Sequence, residues 1–157
     1  MAERLCVECV IEDERWRGAL GEDVQAFAAR VLGRAGAAEA ITGAVTALFA
    51  DDARLAALKG QFLGVQEATN VLAFPAAHGA PDYLGDIALA RETIEAEAAR
   101  QGKRVDQHAA HLLVHGFLHL LGYDHDDDGA AARMEARERE ILAVMGWPDP
   151  YAEDREQ

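Results

Sequence analysis

Residues 108–121 read HAAHLLVHGFLHLL, and few segments constrain a fold more. Leu112, Leu113, Val114, Phe117, Leu118, Leu120 and Leu121 make the segment apolar nearly all round, the pattern of a helix in the middle of a domain. The exceptions are His108, His111, His115 and His119, which fall at i, i+3, i+7 and i+11 and form one stripe. Each imidazole buried on such a helix must find a hydrogen-bond partner or a shared purpose.

The rest of the chain bounds what that purpose is. A length of 157 residues, half of them apolar, fits one domain spanning 1–157 with a sizeable core. The formal net charge of −13 excludes a generic nucleic-acid coat, which needs a basic face to release counterions from phosphates. It also argues against adhesion to an anionic membrane. It does not exclude a small cationic site in one cleft. No apolar run approaches the ~18 residues of a membrane span, and Glu3, Arg4 and Glu8 break any signal-peptide pattern near the start, so a cytoplasmic location is expected. Cys6 and Cys9 form a C-x-x-C in a strand-like run without a second pair or a following helix start, and read as two ordinary reduced thiols.

Periodicity and turn residues predict strands at 4–11, 44–50, 70–74 and 85–90. Helices are predicted at 16–32, ended by Gly33 and Gly36; at 52–58, capped by Asp51; and at 91–100, ended by Gly102. Two more follow, at 108–121, capped by Asp106 and closed by Gly122, and at 129–145, closed by Gly146. This is an α+β chain. The expected architecture is a small, mostly antiparallel or mixed sheet of about four strands with about five helices, the apolar helix in the centre.

His115 and His119 lie one helical turn apart, about 6 Å, and both can reach one metal ion. Gly122 tolerates positive φ and lets the chain turn back, so His125 can supply a third nitrogen. Three neutral nitrogens with an open position make the catalytic type of zinc site. His111 and His115 are an equally spaced rival pair, but His125 reaches the end of the helix that carries His119 most easily. His111 is then a rim residue or holds a ligand in place, His108 is solvated near the helix start, and His78 is a loop residue. The spacing is that of H-E-x-x-H-x-x-G-x-x-H proteases, except that Gly116 stands where their catalytic glutamate would be. Gly116 leaves room for a bulky substrate or a close backbone. Asp124 and Asp126 are candidates to accept the ligands' other ring N–H, or form a solvated turn with Asp127 and Asp128. Glu138 interrupts the apolar stripe of Met134, Ile141, Leu142 and Met145; it pairs inward with a backbone amide or a histidine, or swings to the rim. Asp86 lines the cleft or bonds a neighbouring turn.

The run from His111 through His115, His119 and His125, followed by Met134, Glu138, Ile141 and Leu142, resembles the YbeY family. So do Thr69-Asn-Val-Leu-Ala-Phe-Pro75, Leu84-Gly-Asp-Ile87 and the tail from Gly146 to Tyr151. The resemblance implies a bacterial endoribonuclease with one zinc on His115, His119 and His125. It implies cleavage of single-stranded RNA, 16S rRNA 3′ end processing and ribosome quality control. The expected partners are rRNA and the small ribosomal subunit or a ribosomal protein, with no DNA or membrane. The chain departs from the family pattern at Phe62 and Leu63, where a Tyr-Arg pair is usual, at Asn70, where the family has Asp, and at Lys59, where it has Asn. The missing arginine is a phosphate-binding type of side chain; Lys59 and Arg54 are the nearby cations. The general base is not assigned. A zinc hydrolase of another class, or a ribosome-assembly protein with a mainly structural zinc and a weakened nuclease, are the alternatives.

Overall fold

A computed structural model describes residues 4–63, 69–77 and 82–152, for Leu63 the backbone only. His78, and most of the loop expected at 75–83, lie outside the described residues. The element order is β1 (Leu5–Ile11), α1 (Arg15–Leu20), α2 (Val24–Ala38), β2 (Gly43–Ala50), α3 (Asp52–Leu63), β3 (Val71–Pro75), β4 (Tyr83–Ala90), α4 (Arg91–Gln101), α5 (Val105–Leu120) and α6 (Asp128–Val144).

The four strands make one mixed sheet of order β1-β2-β4-β3. β1 pairs parallel with β2 and β2 with β4; only β3 is antiparallel, against β4. The sheet is therefore mixed rather than mostly antiparallel. The chain returns from β1 to its parallel neighbour β2 through α1 and α2, and reaches β4, the parallel neighbour of β2, through α3 and β3.

Two helical expectations change. The helix expected over 16–32 is two helices, because Gly21 takes φ 68° and ends α1, and Asp23 then accepts the amide of Ala26 to start α2. α2 also runs past Gly33 and Gly36 to Ala38. Gly36 serves packing instead of termination: a Cβ there would stand 3.1 Å from Leu5 Cβ, so the bare glycine lets α2 lie against β1. Asp51 caps α3 as expected, accepting from Arg54 N at 2.8 Å. Asp106 is not the cap of α5: the helix starts at Val105 and Asp106 sits buried in its first turn, beside the Arg104 guanidinium at 2.6 Å. α4 has no cap of its own; Asp52 accepts from Thr93 N and Oγ1, while Glu92 accepts from Asp52 N, so α3 and α4 cap one another.

The main core lies between α1, α2, α5 and one sheet face, filled by Trp16, Phe27, Phe49, Ile87, Leu113 and Phe117. A smaller cluster of Leu55, Leu72, Ala88 and Ala90 fills the other face under α3. Cys6 and Cys9 alternate across β1, exposed and half-buried, both free. Burial, with Asp23 nearby, raises the Cys9 thiol to about 11, so it is not an activated nucleophile.

α5 packs onto β3 and β4 and touches α1, α2, α4 and α6. Gly116 sets how closely: a Cβ on it would lie 2.8 Å from Ile87 Cγ2 and 3.4 Å from Val71 Cγ2. We expect Gly116→Ala to destabilise the fold by about 1–3 kcal/mol through overpacking, measured by urea unfolding. Wild-type stability would contradict the close approach.

Candidate metal centre

The last two turns of α5 carry His115 and His119 on the helix side that borders the cleft beside β3. Leaving the helix, Gly122 adopts φ 101°, its N–H donates to His119 O, and Tyr123 N–H donates back to Leu118 O. This pair of bonds is a Schellman closure, and it reverses the chain. The Tyr123 hydroxyl then donates to Glu39 Oε1 at 2.9 Å, tying the turn to the end of α2, where Arg137 also binds Glu39. Two residues on, His125 faces the other two rings.

The three histidines converge. Their candidate ligand atoms all lie within 4.8 Å of one another. The ring centroids of His115 and His119 are 4.7 Å apart, His119 and His125 5.1 Å, and His115 and His125 5.9 Å. Burial, then the proximity of His115 and His125, pushes the His119 pKa below its ordinary value. The neutral imidazole is thereby favoured, as a ligand requires.

Glu138 supplies the orienting group. It has no exposed surface, and its carboxylate accepts from His115 Nδ1 at 2.8 Å, His111 Nε2 at 2.7 Å and the Tyr151 hydroxyl at 2.5 Å. An ionised carboxylate only accepts, so His115 must carry its proton on Nδ1 and leave Nε2 as the lone-pair nitrogen. Burial opposes the charge, but the hydrogen bonds from His111, His115 and Tyr151 outweigh it and hold Glu138 at about 2. The same burial and the adjacent carboxylate push the Tyr151 hydroxyl well above its ordinary value. The donor set therefore fits a divalent cation of the borderline type: three imidazoles, one already held in the ligating tautomer.

The other candidate residues are placed as follows. His111 is drawn inward and shares Glu138 with His115. His108 is not solvated: it is 5 % exposed, and its Nε2 meets Glu97 Oε1 at 2.9 Å. Burial lowers its pKa despite Glu97. Glu97 also accepts from the Asn70 side chain at 3.0 Å. Asp124 and Asp126 are exposed, and Asp124 accepts from the Asp126 amide; Asp127 caps α6 by accepting from Ala130 N. Asp86 bonds the Tyr83 hydroxyl at 2.5 Å on the α3 side of the sheet. Sequence reasoning assigns no role to Tyr151 or Glu97; for Tyr151 the signal was its place in the Gly146–Tyr151 tail that carries part of the resemblance.

In front of the three histidines lies a cleft of about 480 Å³, bounded on the far side by Thr69, Asn70 and β3. A family model described as "Endoribonuclease YbeY" matches residues 10–146. The chain belongs to the YbeY family. A YbeY endoribonuclease of Rhodopseudomonas palustris strain HaA2 is 44 % identical over 163 residues, covering 93 % of this chain and 81 % of the relative. One from Paracoccus denitrificans strain Pd 1222 is 45 % identical over 159 residues, covering 94 % and 90 %. The fold is similar to the solution structure of a Thermotoga maritima protein, with a TM-score of 0.51 at 19 % identity over 88 % of this chain and 91 % of that one. Glu138 thus holds one of the three converging histidines, His115, in a fixed tautomer and orientation.

Two outcomes follow for Glu138. Glu138→Gln keeps an acceptor but loses the charge that fixes His115, and we expect metal affinity to fall about 10- to 100-fold in chelator competition. In metal-free protein, the depressed pKa means ionised Glu138 stabilises the fold above the usual carboxylate value of 4.5 and ceases to do so as pH falls towards 2. Wild type should therefore lose stability over that window more steeply than Glu138→Gln in thermal melts. Parallel curves would refute the assignment.

Proposed function

We propose that this chain is a zinc-dependent, single-strand-specific endoribonuclease that matures the 3′ end of 16S rRNA in the cytoplasm, with the small ribosomal subunit as its partner. Family membership supports RNA hydrolysis; the convergence of His115, His119 and His125 beside an open cleft is the observation that carries the metal dependence. Ribosome quality control follows from the same reading.

His115, His119 and His125 would hold the ion. When bound, a divalent cation supplies Lewis acidity towards a phosphodiester oxygen and acidifies water. The chain's own residues do the rest. Glu138 and Tyr151 fix His115. Tyr123 and Glu39 hold the turn that presents His125. Gly116, which replaces the glutamate of the similarly spaced proteases, leaves the floor of the cleft without a carboxylate. That favours an anionic phosphodiester over peptide hydrolysis by a glutamate base.

Leu63 in place of the usual arginine favours the second reading, an assembly factor with a weakened nuclease. The test is metal content and single-stranded RNA cleavage for wild type and His115→Ala. We expect about one metal per wild-type chain, chelator-sensitive cleavage, and loss of both in the variant. Metal without His115-dependent cleavage would establish the second reading; a metal-free wild-type chain purified without chelator would overturn both.

A further inference from the structure

The wall of the cleft opposite the histidines is an open sheet edge. Among the described residues β3 lies at the margin of the sheet and pairs on one side only, with β4. The ladder continues at both ends through Ala90 N to Asn70 O and Ala76 N to Leu84 O, so residues 70, 72, 74 and 76 direct their main-chain groups towards β4. The alternating positions therefore direct theirs outward. Val71 and Ala73 each turn an N–H and a C=O away from the sheet, and Pro75 turns a C=O. All three residues line the cleft that contains His115, His119 and His125. Proline at the third outward position fits this geometry, because its missing N–H would have faced the cleft and not the ladder.

No lysine or arginine lines this cleft among the described residues. The body is acidic at −13. Phosphate recognition without a cationic side chain falls to neutral N–H donors. The edge also offers acceptors between its donors. An RNA backbone presents the complement, phosphate oxygens that accept and 2′-hydroxyls that donate, whereas DNA lacks the donor.

We propose that the free edge of β3 binds the sugar–phosphate backbone of single-stranded RNA, with the N–H groups of Val71 and Ala73 on phosphate oxygens and the intervening carbonyls on 2′-hydroxyls. The two amides stand about 6.8 Å apart along the strand, so they engage successive linkages and read no bases. The edge lays the strand along the histidine cleft and discriminates RNA from DNA by its backbone alone. This rests on the nuclease reading given above.

The metal-loaded enzyme is assayed on a short single-stranded RNA. Ala73→Pro deletes one outward N–H and leaves the ladder intact; Ala73→Ser retains the N–H. We expect Ala73→Pro to raise KM about tenfold with kcat changed less than about twofold and metal content unchanged, and Ala73→Ser to behave as wild type. An unchanged KM in a folded, metal-loaded Ala73→Pro enzyme overturns the inference while leaving the nuclease reading standing. A wild-type enzyme that neither binds nor cleaves RNA overturns both. Amide exchange in the wild-type holoenzyme gives a second readout that needs no folded variant. A phosphorothioate RNA should slow exchange at Val71 and Ala73, and DNA of the same sequence should slow it less. Unaltered exchange with RNA, equal protection by DNA, or protection by an extended peptide in place of RNA each overturns the proposal.

Discussion

A carboxylate with no exposed surface is expensive unless every lone pair finds a donor, and Glu138 is such a group. Its three donors come from two places: two histidines of α5 and the tyrosine of the C-terminal tail. Satisfying it fixes the contact between α5 and α6, folds the tail back onto both, and selects the tautomer of His115. The orientation of the candidate site and the packing of the C-terminal half are thus one physical requirement. Replacing Glu138 by an apolar residue would leave the His111 and His115 N–H groups stranded.

Much of this was legible in the sequence. The apolar run, the H-x3-H-x5-H spacing and Gly122 together specify a buried helix, a ligand pair and a chain reversal, all of them local signals. Glu138 was readable as an anomaly, an acid in an apolar stripe with a histidine among its expected partners, but that His111, His115 and Tyr151 all meet it depends on which face of α5 packs against α6. The same limit explains His108. Its position near a helix start suggests solvent, yet α4 packs over it and supplies Glu97. The break at Gly21 was hidden by three other glycines nearby, Gly18, Gly33 and Gly36, none of which ends a helix. Strand direction was left open between a mostly antiparallel and a mixed sheet, and the structure is mixed. Short strands separated by helices pair parallel through non-local contacts that no window of the sequence contains.

The acidity of the chain takes on a specific meaning beside the geometry. A strongly negative protein cannot hold RNA by diffuse attraction, so whatever attraction exists must be concentrated where the three histidines meet the β3 edge. Affinity confined to one short cleft is expected to be modest, and selection among RNAs then depends on what delivers the strand to the cleft rather than on the cleft itself.

An unpaired strand edge is also an invitation to another strand. β3 is five residues long and closes with Pro75, so a second copy of the chain docking there would find few consecutive donors and a missing one at the end. The edge is therefore too short to seed stacking of one molecule on the next. Four of its five residues, Val71, Leu72, Ala73 and Pro75, border the cleft as well, so the strand that walls the cleft also limits edge-to-edge pairing.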